Sequence, residues 1–186
     1  MKEKLRTHIE KTINLTDEEF EYVFSHFKIK NLRKHQHIIQ EGEYVTKDFW
    51  VTQGLLKASY TDQNGKQHIM QFAMENWWIS DYQALFNQTK ATLHIDCIED
   101  SQVFYVSYQD RIKICNKIHE MANFFRIKAS FGYVALQNRI LTLLSTNSKE
   151  RYDLLLLKYP ELFQRVPKSL IASFLGVSRE TLSRFN

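Results

Sequence analysis

The 186-residue sequence is 44% hydrophobic and 13% aromatic, and it contains only 5 glycines and 2 prolines. This composition supplies a packed core and excludes a disordered or fibrous chain. No apolar run approaches the roughly 20 residues that cross a bilayer, and the N-terminus lacks the apolar centre of a signal peptide. The two cysteines, Cys97 and Cys115, form no spaced cluster, so we expect buried thiols and a cytoplasmic protein.

The formal net charge of +4 conceals an asymmetry between the two ends of the chain. Residues 111–186 carry 13 Lys+Arg against 5 Asp+Glu, a net charge of +8. Residues 1–110 carry 12 against 16, a net charge of −4. A basic C-terminal part is suited to a polyanionic partner such as nucleic acid.

Short alternating segments between residues 27 and 107 predict strands. Asn64-Gly65 predicts a hairpin with a type I′ turn, because these residues tolerate the positive φ angles that such a turn requires. Many short strands at regular spacing indicate a small antiparallel barrel or roll. The predicted strands cover residues 27–32, 35–40, 48–61, 66–73, 92–98 and 102–107.

Helical periodicity lies on both sides of this β region. Thr16 and Glu19 form a capping box at the start of the second N-terminal helix. Pro160 is expected to end the helix before it, with a short Leu162-Phe163 link after it. The predicted helices cover residues 4–13, 16–26, 108–117, 119–146 and 148–159.

The last part of the chain predicts two short helices joined by a tight turn. Pro167 suits the first position of a helix, and Gly176 tolerates the positive φ of a chain reversal. Ser178 is a good N-cap for a second helix over residues 179–186, which would bury Leu182. This arrangement is a helix-turn-helix, whose second helix enters the DNA major groove.

The outer residues of that second helix suit base reading. An Arg can hold the O6 and N7 of guanine, and a Glu can accept from the N4 amine of cytosine. Lys168, Ser169 and Thr181 are better placed for phosphates, which fix register without reading sequence. The alternative is a solvated helix end that contacts nothing. The predicted base-reading residues are Arg179, Glu180, Ser183 and Arg184.

The segment VSRETLSR, residues 177–184, resembles the recognition helix of the Crp/Fnr family of bacterial transcription regulators. Crp-type members are similar in their Arg, Glu and Arg at the positions of Arg179, Glu180 and Arg184. Fnr-type members are similar in the E-x-x-S-R that Glu180, Ser183 and Arg184 provide. The sequence carries both sets and leaves the preferred half-site open. The resemblance implies double-stranded DNA and a second copy of the chain as partners, with RNA polymerase as a further candidate.

The stretch EGEYVTKDFWVTQGLLKASYTDQNGKQHIMQF, residues 41–72, is similar to the cyclic-nucleotide-binding β-roll of the same family. Members that bind cyclic nucleotides hold the sugar-phosphate with a Gly-Glu pair and an Arg-Ser pair. Here Asp81 keeps a carboxylate able to hold a ribose hydroxyl, but Ala91 replaces the Arg that neutralises the phosphate. We therefore expect no tight binding of cyclic AMP and leave the effector unknown. The aligned pocket positions are Ser80, Asp81, Ala91 and Thr92, with Phe124 and Phe125 where relatives present hydroxyls to the adenine.

Four aromatic residues, Trp77, Trp78, Tyr82 and Phe86, crowd the region of this pocket. They could fill the former pocket and make the roll purely structural, which we favour, or they could shape a pocket for an apolar ligand. We expect no metal or cofactor, because an iron–sulfur cluster usually requires four thiolates. His35 and His37 would share one strand face, where a solvated pair is favoured over a metal or haem site.

The long predicted helix corresponds to the dimer seam of the family, where it pairs with its copy as a coiled coil. Residues that recur at intervals of four and three along this helix lie on one face, and we predict that this face forms the seam. A parallel stripe of Phe124, Phe131 and Leu136 could instead pack on the roll. The predicted seam residues are Met121, Phe125, Lys128, Gly132 and Ala135.

Together these features predict an α+β fold with an N-terminal antiparallel β-roll, a long dimerisation helix and a C-terminal helix-turn-helix. The expected domains are 1–117, 118–146 and 147–186, with no wing after the helix-turn-helix. No enzyme motif is present. We expect a homodimeric, sequence-specific transcription regulator of the Crp/Fnr type that does not depend on cyclic AMP. The alternative is a small-molecule sensor module that acts through protein contacts, with a vestigial DNA-binding end.

Overall fold

The structure, a computed structural model, describes residues 1–185, and Asn186 lies outside them. The strands are β1 (Lys28–Leu32), β2 (His37–Ile39), β3 (Lys47–Gln53), β4 (Leu56–Thr61), β5 (Gln67–Ala73), β6 (Trp78–Ile79), β7 (His94–Cys97) and β8 (Ser101–Ser107). The helices are α1 (Lys2–Glu10), α2 (Asp17–Ser25), α3 (Tyr82–Asn87), α4 (Tyr108–Lys117), α5 (His119–Ser145), α6 (Ser148–Lys158), α7 (Pro160–Arg165), α8 (Lys168–Leu175) and α9 (Arg179–Ser183).

The chain forms two compact units. The first consists of residues 1–58 and 72–130, and the second consists of residues 59–71 together with the chain from residue 131 onward. The tip of the β4–β5 hairpin and the second half of α5 therefore group with the C-terminal helices. The expected domain boundaries at residues 117 and 146 stay predictions.

The predicted antiparallel roll is present as two four-stranded sheets in the described part of the chain, with strand orders β1-β8-β3-β6 and β2-β7-β4-β5. β8 pairs antiparallel with both β1 and β3. The middle five residues of β3 are all buried, as expected of a strand with its neighbours on both edges and packed faces. The core between the sheets is largely aliphatic, with Phe49 as its buried aromatic residue, and includes Leu56, Ile79, Leu85, Ala91, Ile95 and Val103.

A second core lies between the N-terminal helices, α4, the start of α5 and one sheet of the roll. The capping box of α2 forms as predicted, with the Thr16 hydroxyl accepting from the Glu19 backbone and the Glu19 carboxylate accepting from the Thr16 backbone. The buried residues of this core include Leu5, Ile9, Phe20, Val23, Trp50, Phe104, Met121 and Phe124.

Three local predictions are corrected by the structure. Within the described residues, the hairpin at Asn64-Gly65 has a positive φ only at Gly65 (78°), so it is not a type I′ turn. Instead Asp62 accepts from Gly65 and donates to Lys66 across a longer loop closed by a left-handed glycine. Pro160 does end α6, but it also begins α7, because a proline tolerates the first helical position. The two-residue strand β6 was missed, since so short a segment carries no periodicity.

The second unit packs its C-terminal helices around a small apolar core. Tyr152 and Leu155 of α6, Leu162 of α7 and the inner face of α8 are buried. Asn147 caps α6 by accepting from the backbone of Lys149 and Glu150, which starts a new helix two residues after α5 ends. These contacts fix α8 against α6 within the unit.

Candidate nucleic-acid interface and effector pocket

Helix α8 ends in a tight reversal at Gly176. Gly176 has φ 71° and ψ 33°, the left-handed conformation that glycine adopts without strain. Its N–H and that of Val177 donate back to Ser173 and Ala172, satisfying carbonyls at the end of α8. Pro167 is the N-cap of α8 rather than its first helical residue, a shift of one position from the prediction.

Helix α9 begins at Arg179, three residues after α8 ends, and Ser178 is its N-cap as predicted. The Ser178 hydroxyl accepts from the backbone N–H of Thr181 at 3.2 Å, and Leu182 is buried against the unit, with 3% of its surface exposed. α9 ends at Ser183 with Arg184 as its C-cap, so it is shorter than the predicted helix over residues 179–186, whose last residue lies outside the described residues. The predicted base-reading residues Arg179, Glu180, Ser183 and Arg184 are all exposed.

The exposed face of α9 carries both charges that base reading would use. Hydrogen bonds from its own backbone N–H and from Ser178 lower the pKa of Glu180, so this carboxylate is ionised at neutral pH and can act as an acceptor. Of the predicted phosphate contacts, Lys168 and Ser169 are exposed at the start of α8. Thr181 is half-buried and its hydroxyl is 3.2 Å from that of Ser178, so it already has a partner.

In the predicted effector pocket, the carboxylate of Asp81 is surrounded by hydrogen-bond donors of its own chain. Asp81 is only 2% exposed, and its Oδ1 accepts from the N–H of Ala84 at 3.1 Å. Its Oδ2 accepts from the N–H of Thr92 at 2.8 Å, the Thr92 hydroxyl at 3.2 Å and the N–H of Leu93 at 3.2 Å. The carboxylate expected to hold a ribose hydroxyl is therefore committed to internal bonds.

The other predicted pocket positions also form hydrogen bonds or core contacts within the chain. The Ser80 hydroxyl donates to the Lys47 carbonyl at 2.9 Å, and Ala91 belongs to the apolar core of the roll with 4% exposure. Phe124 and Phe125 lie in the second core of the first unit, the one that the N-terminal helices cover. The structure thus brings Asp81 and Thr92 together and keeps the two phenylalanines in a different core.

The four aromatic residues near the pocket do not share one location. Trp77 packs at the edge of the roll core, whereas Trp78 packs on the other core and donates from Nε1 to Nε2 of His8 at 3.0 Å. Tyr82 stacks on Phe86 on the outside, and both are substantially exposed. Of these four residues only Trp77 packs against the core of the roll, and the expectation that they fill the former pocket stays a prediction.

A buried ionic network that the sequence did not reveal lies beside α3. Asp48 is 3% exposed and accepts from Arg111 at 3.1 Å and from the Tyr82 hydroxyl at 3.2 Å. The Arg111 guanidinium also lies 4.1 Å from the ring centroid of Phe125. Burial raises the pKa of Asp48 to about 7, against the opposite effect of the Arg111 charge. Asp48 and Arg111 are far apart in sequence, so no local pattern signals this contact.

The predicted seam residues of α5 are placed in two different environments. Met121 and Phe125 are buried in the first unit, and Lys128 is half-buried with its pKa lowered by burial. Gly132 and Ala135 are exposed in the second unit. An apolar stripe that the sequence analysis did not select is exposed at spacings of three, four and three along α5. Its residues are Tyr133, Leu136, Ile140 and Leu143, with exposed fractions of 69%, 52%, 48% and 42%.

The histidine pair does not form the arrangement considered from the sequence. His35 has φ 66° in a turn before β2 begins, so it does not share a strand face with His37. Among residues 1–185 no group of three His, Cys, Asp or Glu side chains could hold a metal ion. The same range contains no helix that is long and apolar enough to span a membrane.

Comparison with known proteins agrees with the roll. Residues 29–117 match the family model described as the cyclic nucleotide-binding domain, while no curated protein matches the sequence. The fold is similar to that of FixK2 from Bradyrhizobium japonicum, with a TM-score of 0.73 at 20% identity over 86% of this chain and 82% of that one.

Two further solved structures extend the likeness along the chain. The catabolite activator protein of Thermus thermophilus matches with a TM-score of 0.56 at 16% identity over 92% of this chain and 82% of that one. CLP of Xanthomonas campestris, a c-di-GMP responsive global regulator, matches with a TM-score of 0.70 at 9% identity over 91% and 89%. Residues 29–117 thus carry the fold of a cyclic nucleotide-binding domain, and the chain is similar in fold to FixK2, the catabolite activator protein and CLP.

Proposed function

We propose that the protein is a homodimeric, sequence-specific DNA-binding regulator of transcription, of the Crp/Fnr type suggested by its recognition-helix sequence. The observation that carries this proposal is α9, a capped helix anchored by Leu182 that exposes Arg179, Glu180, Ser183 and Arg184. Arg and Glu in this arrangement are the donors and acceptors that major-groove base edges require. The basic charge of residues 111–186 supports the same partner. The protein would act in the cytoplasm, where DNA is accessible, and contact RNA polymerase there.

The proposed dimer forms through the exposed stripe of α5. Tyr133, Leu136, Ile140 and Leu143 recur at the three-and-four spacing of a coiled-coil seam. This register differs from the one that the sequence suggested, because Met121 and Phe125 are already buried in their own chain. Two recognition helices related by a two-fold axis would read a near-palindromic site.

DNA binding by this protein does not depend on cyclic AMP in our proposal. The donors at the start of α3 and at Thr92 are already satisfied by the Asp81 carboxylate, and the aligned Ala91 supplies no cation for a phosphate. A buried phosphate without a compensating charge is strongly disfavoured. Calorimetry with cyclic AMP should show no tight binding, and a sub-micromolar dissociation constant would contradict this part of the proposal.

The decisive experiment is selection of the purified protein on a library of random DNA duplexes, without added ligand, followed by sequencing. An enriched inverted repeat would support the regulator and define its half-site. Absence of enrichment, both alone and after addition of cell extract, would favour the sensor module that acts through protein contacts. The salt dependence of DNA affinity separates the two functions independently, because counterion release gives a true binder a steep slope.

A further inference from the structure

Two arginines of the second unit bind the carbonyl end of α8. Arg139 of α5 donates from Nη2 to the Phe174 carbonyl at 3.0 Å, and Arg151 of α6 donates from Nε to the Leu175 carbonyl at 3.1 Å. The last carbonyls of a helix lack partners within it and form the negative end of the helix dipole. Both guanidinium groups therefore hold α8 where it needs donors and positive charge.

Each of these arginines also donates to a second backbone carbonyl, outside α8. Nη2 of Arg139 donates to the Ile69 carbonyl in the hairpin at 3.1 Å, and Nη1 of Arg151 donates to the Thr146 carbonyl at 2.7 Å. The Arg139 guanidinium lies 3.6 Å from the ring centroid of Phe174. One planar group thus joins α5, the hairpin and α8, which the rigid fork of an arginine allows and a lysine does not.

Burying the charged Arg139 guanidinium costs free energy, which indicates that this residue serves to form hydrogen bonds in fixed directions. Burial alone lowers the pKa of Arg139 to about 10, and no ion pair with a carboxylate is formed by this residue in the described part of the chain. An apolar side chain could fill such a position without that cost. What an apolar residue could not supply is the set of directed bonds to two carbonyls.

Fixing the end of α8 also fixes the start of α9, because only Gly176 and Val177 lie between Leu175 and the Ser178 cap. We propose that Arg139 and Arg151 are positioning residues that hold α9 at one orientation relative to α5. Since α5 carries the proposed dimer seam, this clamp sets the spacing between the two DNA half-sites that the dimer accepts. The inference rests on the proposed function.

The test is selection from a library in which inverted half-sites are separated by spacers of every length over one helical turn. Arg139→Met and Arg151→Met keep an unbranched apolar stem but remove the donors. The wild type should accept one spacer length. Each variant should select the same half-site but accept neighbouring spacers, with the preference for the wild-type spacer reduced about tenfold, the equivalent of one charged hydrogen bond. Lys158→Met removes an exposed charge on α6 and should leave the spacer profile unchanged.

Amide hydrogen exchange provides a readout that needs no DNA. The Val177 N–H, which donates to the Ala172 carbonyl at 3.0 Å, should exchange faster in both variants. The Val166 N–H, which donates to the Leu162 carbonyl at 2.8 Å at the end of α7, should not change in either variant. If Arg139→Met unfolds the unit, Arg139→Lys, which keeps the charge and one donor direction, is measured in its place.

The outcomes separate the clamp from a general effect on stability and from the proposed function. Variants that lose affinity for every spacer in equal proportion would show that the arginines only stabilise the fold, and would overturn the inference. A wild-type inverted repeat with an unchanged spacer profile in the variants would also overturn it and leave the proposed function standing. A wild-type pool without an inverted repeat would overturn both.

Discussion

The Oδ2 atom of Asp81 lies 2.8 Å from the backbone nitrogen of Thr92, so two of the predicted pocket positions are hydrogen-bonded to each other. Asp81 caps α3 and simultaneously holds the segment that enters β7. A carboxylate of the chain thus occupies donors that a ligand anion would otherwise use. The Asp81 carboxylate consequently serves the internal hydrogen bonding of the roll.

Asp81→Asn should destabilise the protein, because one amide cannot accept the four hydrogen bonds that the carboxylate accepts. Loss of bonds to a buried charged group costs about 1–3 kcal/mol each before relaxation, so we expect a decrease of about that size in the free energy of unfolding, measured by urea denaturation. Glu43→Gln, an exposed carboxylate on the neighbouring turn, is the matched control. Equal stability of Asp81→Asn and the wild type would contradict the scaffold role.

Asp48 should make the stability of the protein depend on pH. Burial raises its pKa from 3.8 to about 7, so the folded protein holds this proton more tightly than the unfolded chain. The contribution of protonated Asp48 to the free energy of unfolding is fully present below about pH 4 and is lost as the pH rises towards about 7. Relative to Asp48→Asn, the wild type should lose up to about 1.4 kcal/mol of unfolding free energy per pH unit across that window.

Urea denaturation of both proteins between about pH 4 and pH 8 measures this difference. The free energy of unfolding of Asp153→Asn, a substitution at an exposed position, should change with pH in the same way as that of the wild type. If the wild type instead gains stability relative to Asp48→Asn on raising the pH, the Arg111 charge outweighs burial and Asp48 is ionised in the fold.

Arg184→Ala should weaken binding at the selected DNA site by about 1–3 kcal/mol and have much less effect on random DNA, because a base contact is lost. Lys168→Ala is the informative comparison, since loss of a phosphate contact weakens binding to all sequences. It also reduces the slope of log affinity against log salt concentration by about one. Titration of both duplexes at several salt concentrations measures these effects. Equal losses of Arg184→Ala on both duplexes would show that it does not read a base.

Ile140→Glu should dissociate the proposed dimer, because it places a charge in the centre of the exposed stripe of α5. Ala135→Glu is the matched control on the register that the sequence suggested, and it should remain dimeric. Sedimentation equilibrium gives both dissociation constants, and the expected difference is at least about tenfold, or 1.4 kcal/mol. Dissociation by Ala135→Glu with a dimeric Ile140→Glu would restore the original register.

The sequence by itself determined the features that depend on neighbouring residues. The capping box of Thr16 and Glu19, the cap at Ser178 and the reversal at Gly176 were all predicted, because each involves groups within a few positions along the chain. The alternating strands of the roll followed from the same local periodicity. The exposed quartet on α9 follows from the position of Leu182, the one buried residue of that helix.

Only the tertiary structure decided which side chains meet across the fold. Asp48 and Arg111 are 63 residues apart, and Arg139 and Ile69 are 70 residues apart, so no periodicity links them. The face of α5 that remains free depends on what the N-terminal helices and the roll cover, which is why Met121 and Phe125 are buried while Leu136 and Ile140 are exposed. Burial is a property of the assembled surfaces, and it assigned Asp81 to the scaffold where its residue type alone suggested a ligand contact.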